Sequence, residues 1–125
     1  MNQNSVQSFP ASVSQTLSTG QVVTFDSTKG SVKAATGATA NIGVVIGDYK
    51  TDSTTTNTAV AVQLFSSGGT AMIAIKTKGT LAVGSPVIVA DGAGFVAGAA
   101  AFDKGSAILL EAPAASLDVV RAVFV

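Results

Sequence analysis

The chain has no cysteine, no histidine and no tryptophan, and a single arginine, Arg121, among its seven cations. Without cysteine there is no disulfide framework and no thiolate metal site. Without histidine the many serines and threonines lack the usual base that would make a hydroxyl nucleophilic. Charge is sparse as well: 11% of residues, seven acidic against seven basic, for a formal net charge of zero. No cluster of Lys and Arg gives the basic footprint of a nucleic-acid binder, and no apolar stretch reaches the length of a membrane-spanning helix. The opening Met1-Asn-Gln-Asn-Ser-Val-Gln-Ser8 has no basic segment followed by an apolar one, so no secretory signal is read there. Synthesis in the cytoplasm is the expectation.

What is present is apolar but small. Hydrophobic residues make up 47% of the 125, chiefly Ala and Val, with six Phe and one Tyr as the aromatics. Such a length predicts one domain. Small side chains bury little area each, at roughly 25 cal/mol per Å², so oligomerisation is expected to add stability. Low, balanced charge also suits a protein packed onto something more than one free in solution.

The order of the residues is more telling than their proportions. Leu17-Ser-Thr-Gly20-Gln-Val-Val23, running through a turn to Gly30-Ser-Val32, recurs as Leu81-Ala-Val-Gly84-Ser-Pro-Val87, running to Gly94-Phe-Val96, at an offset of 64. Six positions of the first stretch, Leu17, Gly20, Val23, Gly30, Val32 and Ala35, are identical in the second. The pattern predicts two similar β-halves, 17–65 and 81–125, in a single β domain over 17–125. Gln21–Asp26 and Ser31–Ala35 read as a hairpin, and Gly43–Gly47 as a strand buried on both faces. Ala59–Phe65 places Val60, Val62 and Leu64 on one face. Serine and glycine at 66–69 predict a hairpin from it to Thr70–Thr77. Pro86 opens a strand that leads through Asp91-Gly92 to Gly94–Ala97. Ala107–Glu111 and Val119–Val125 stand where Gly43–Gly47 and Ala59–Phe65 stand in the first half. Thr51–Thr58 is polar throughout and is expected to be an exposed loop.

Residues 1–16 differ in composition: uncharged Asn, Gln, Ser and Thr, with Phe9, Pro10 and Val13 as apolar features. They are expected to form a flexible N-terminal arm that orders on a partner, anchored by Phe9, Pro10 and Val13. Deleting residues 2–16 is then expected to leave a folded oligomer that has lost its partner.

No residue reads as catalytic and no cofactor or metal is implied. The acids Asp26, Asp48, Asp52, Asp91, Asp103, Glu111 and Asp118 sit at strand ends or beside turn residues, where Asp bonds its own backbone. A calcium site at Asp48 and Asp52 lacks the dense oxygen spacing of a calcium loop. Lys76 and Lys78 read as a solvated strand edge. For a glycan-binding barrel, Tyr49 is the sole tyrosine or tryptophan available for stacking.

Taken together, Leu17-x-x-Gly20-x-Val-Val, Gly43-Val-Val-Ile-Gly47, Val60-Ala-Val-Gln-Leu64, Gly79-x-Leu-x-x-Gly84-x-x-Val and Val119-Val-Arg-Ala-Val-Phe-Val resemble the small capsid decoration, or cement, proteins of tailed phages. The resemblance spans about residues 17–125. It implies a compact all-β domain, barrel-like or of β-tulip form, that trimerises. It implies binding to the major capsid protein on the outside of an expanded head, with no nucleic-acid or membrane partner, and hence a place on the virion surface. The loop at 51–58 departs from the resemblance, so no contact is carried over there. The alternatives are a tail- or fibre-associated virion protein and, from another class, the glycan-binding barrel.

Overall fold

A computed structural model of the chain describes residues 6–12, 14–26, 30–38, 40–51, 59–98 and 106–125. These residues build two five-stranded antiparallel sheets and one small ribbon. The first half supplies β1 (Val6–Pro10), β2 (Thr16–Leu17), β3 (Val22–Phe25), β4 (Val32–Ala34), β5 (Asn41–Val45), β6 (Tyr49–Lys50) and β7 (Ala59–Leu64). A single 3-10 turn, Phe65–Ser67, leads into the second half. That half supplies β8 (Gly69–Ala74), β9 (Pro86–Asp91), β10 (Gly94–Ala97), β11 (Ala107–Leu109) and β12 (Val119–Phe124).

The sheets are ordered β1-β7-β5-β3-β4 and β8-β12-β11-β9-β10, the same topology twice, with β2 and β6 paired beside the first. The repetition extends to register. Val22 faces Val44 and Val23 faces Gly43 in the first sheet, while Pro86 faces Ile108 and Val87 faces Ala107 in the second. Pro10 opposite Ala59 is matched by Ala74 opposite Val119. Isolated bridges join Ala11 to Val32 and Ile75 to Phe95. Phe95, one residue before the Val96 that sequence alignment selects, is therefore the counterpart of Val32. A register shift between Gly94 and Phe95 absorbs the difference.

The core repeats with the topology. Ala11, Leu17, Val23, Val32, Val45, Val60 and Val62 are buried in the first unit. Their positional counterparts Ile75, Leu81, Val87, Phe95, Leu109, Val120 and Ala122 are buried in the second. The second cluster holds more: Val22, Ala35, Val44 and Phe65 of the first unit join it, against Ile73, Val89, Ala107 and Phe124. β5 thus sends Val44 to one cluster and Val45 to the other, so it is buried on both faces as expected. It ends early, leaving Ile46 exposed.

The expected all-β class holds, in sheets that do not close into a barrel among the described residues. Three expectations are corrected. The segment 1–16 is no detached arm where it is described: Val6–Pro10 pairs with β7, and Ala11 and Ser12 are buried. Its polar composition is that of an edge strand, held by backbone bonds while Gln7 and Ser8 face water. The repeat therefore starts at Val6, not Leu17. The hairpin across 66–69 does not form, because β7 pairs with β1 and β5 while β8 pairs with β12. Lastly, Thr51 is buried, its Oγ1 donating to Ser12 O at 2.7 Å and accepting from Gln15 N at 2.8 Å. Residues 52–58 lie outside the described ones.

Candidate functional site

The core side of each sheet runs past the buried cluster toward one end, and the two units differ in what covers that end. In the second unit Phe65 stacks edge-on against Phe124, with ring centroids 5.2 Å apart, and against Phe95 at 6.2 Å. In the first unit the matching end is a groove of about 250 Å³, lined by Phe9, Phe25, Asn41, Ile42, Leu64, Phe65 and Ser66. Phe9 and Phe25 meet edge to face at 5.5 Å. Phe25 remains 46% exposed, well above its counterpart Val89 at 6%. The Asn41 side-chain NH₂ donates to Gly37 O at 2.8 Å, which leaves the buried Oδ1 without a hydrogen-bond donor among the described residues.

Of the residues expected to anchor a partner, Phe9 lies in β1 and lines this groove. Pro10 is exposed at the end of the same strand. Val13 lies outside the described residues. The sequence places Leu64 on an apolar strand face but singles out neither Phe25 nor Ile42. Their signal was available: carrying the repeat to Ile73, Val89 and Phe124 marks Phe9, Phe25 and Leu64 as one set.

Several polar side chains tie turns and strand ends together. Asp48 accepts from Thr19 N at 2.9 Å and Thr19 Oγ1 at 3.2 Å, tying the turn before β3 to the one before β6. Its supposed calcium partner Asp52 lies outside the described residues. Asp118 caps Ala114 N and Ala115 N, and Glu111 accepts from Arg121 N. Ser12 Oγ bonds Asp26 Oδ2 and Ser31 Oγ, both at 2.9 Å, pinning the chain after β1 to the β3–β4 hairpin. Lys76 Nζ lies 2.5 Å from Asp91 Oδ2. That ammonium, with a further bond from Ala93 N, holds the Asp91 carboxyl below its ordinary value. Among the described residues no three acids group to hold a metal ion. Tyr49 is half-buried against the first core, its hydroxyl donating to Ile46 O and accepting from Ala61 N. A ring so placed is a poor stacking platform for a sugar.

Two further apolar side chains are strongly exposed on loops of the second unit. Val83 and Leu117 are 67% and 68% exposed. Leu117 N donates to Ile75 O at 2.6 Å and Lys78 N to Ser116 Oγ at 2.9 Å, so their two loops are held together at one end of the second unit. Among the described residues the arrangement offers exposed apolar side chains beside carboxylates that hold turns and strand ends. No family model and no curated protein matches the chain.

Proposed function

We propose that this chain is a capsid decoration protein. It binds, as a homotrimer, the outer surface of an expanded phage head and stabilises contacts between major capsid protein subunits without catalysis. The observation that carries the reading is the pairing of two tightly repeated β-units with exposed apolar side chains. A clamp needs rigid shape and several weak contacts in fixed relation. Three copies make the later contacts effectively intramolecular, so modest anchors sum to stable attachment. The paired loops carrying Val83 and Leu117 supply the shell-facing contact in this reading, since these are the two most exposed of the large apolar side chains described.

The test is co-sedimentation with expanded and unexpanded heads. The chain is expected to pellet with expanded heads alone, and Leu117→Asp to lose that binding while keeping its fold. Equal absence from both kinds of head would refute the reading. Stacked rings or tubes in electron micrographs would move the protein to the phage tail.

A further inference from the structure

The two units of one chain meet in a single direction. A plug on the first unit, made of Val22, Val44 and Phe65, closes a socket on the second, made of Ile73, Val89 and Phe124. Register equivalence gives each unit both parts. The second unit's plug is Pro86, Ile108 and Val125, and the first unit's socket is Phe9, Phe25 and Leu64. The occupied socket is buried to 6% exposure or less. The other is the open groove, and Val125 of the other plug is 42% exposed.

The contact is also not reciprocal. Gly20 and Gly84 occupy the same turn with the same φ of +86°, yet a Cβ on Gly20 would lie 2.6 Å from Ala74 N, while one on Gly84 meets nothing within 4 Å. A two-fold arrangement of the units would bury both glycines alike. The intrachain contact is heterologous, and a heterologous contact leaves one unused copy of each face.

We propose that the open socket of one chain receives the free plug of a second copy of this chain, head to tail, so that copies continue the arrangement that joins the two units. The faces match in character: aromatic and aliphatic side chains on one, proline and aliphatic side chains on the other, with no charge among these residues. One intrachain bond cannot recur. Ala74 N donates to Gly20 O at 3.0 Å, and Pro10, the counterpart of Ala74, has no N–H. Contact between copies therefore rests on apolar fill. The inference shares only self-association with the function proposed above, and three copies closing in this way place six β-units around one axis.

Light scattering on the full chain tests it. The wild type is expected to show a multiple of the single-chain mass. Phe25→Glu in the socket and Ile108→Glu in the plug are each expected to fall to the single-chain mass with an unchanged circular dichroism spectrum. Pro86→Glu replaces the plug variant if Ile108→Glu fails to fold. Mixed one to one, the socket and plug variants retain one good face each and are expected to form a two-chain species. Wild type of single-chain mass at millimolar concentration would overturn the proposal, as would a folded face variant of wild-type mass. A mixture that stays single-chain overturns the head-to-tail geometry. A wild-type oligomer that binds no head leaves this inference standing and removes the shell-binding one.

Discussion

At the scale of single residues, Phe65 does most to join the two units. It is 6% exposed, belongs to the turn that links them, and stacks on Phe95 and Phe124. Phe65→Ala is expected to cost about 3–5 kcal/mol by urea unfolding, the range for emptying a packed aromatic site. Gly20 and Gly84 make a controlled pair. An alanine at either suffers the left-handed backbone, about 1–2 kcal/mol, but only Gly20→Ala also collides with the Ala74 backbone. In the Phe25→Glu background, expected to keep the chain single, Gly20→Ala is expected to destabilise by roughly 1–3 kcal/mol more than Gly84→Ala. The Lys76–Asp91 pair acts through pH. Because the folded state holds Asp91 below its ordinary 3.8, its contribution is complete above that value and is lost as pH falls through the depressed one. Both side chains are partly solvated, so the term is at most about 1 kcal/mol. Asp91→Asn is expected to flatten thermal stability between neutral pH and pH near 3.

At the scale of elements, β1 changes what the N-terminal segment is for. Its five residues pair with β7, and Ala11 beyond it is fully buried. Deleting residues 2–16 is now expected to destabilise the first unit by on the order of 3–5 kcal/mol, from ladder bonds near 1 kcal/mol each. Circular dichroism melts check this; an unchanged melting temperature would contradict it. The reason β1 was not legible is physical. An edge strand is held by main-chain bonds, which composition does not display, and Val6, Gln7, Ser8 and Phe9 carry no clean alternation. The internal strands were legible because Val22, Val23, Val44 and Val45 pack on both faces and leave continuous apolar runs. Serine and glycine at 66–69 announced a reversal but not which sheet would take the next strand. The repeat itself was visible at Leu17, Gly20 and Val23. Its slip at Phe95 was not, since a bulge leaves no mark that identity matching can follow. The groove had the same fate: Phe25 reads as one more strand residue until the second unit shows what should cover it.

At the scale of the whole molecule, the chain is two copies of one β-unit, docked so that one copy of each face is left over. Small Ala and Val side chains give thin cores, and heterologous docking adds buried aromatic area that neither unit has alone. If the proposed contact between chains closes on itself it gives a ring, and such a ring would present the Val83–Leu117 loops in several copies to a repeating shell. The proposed assembly depends on this geometry more than on any one side chain. A cryo-electron microscopy reconstruction of expanded heads incubated with the wild-type chain tests it most directly. Regularly spaced knobs are expected, each resolving into six β-units around a local axis with the Val83–Leu117 end against the shell. Bare heads, or single unassembled chains scattered on the surface, would contradict it.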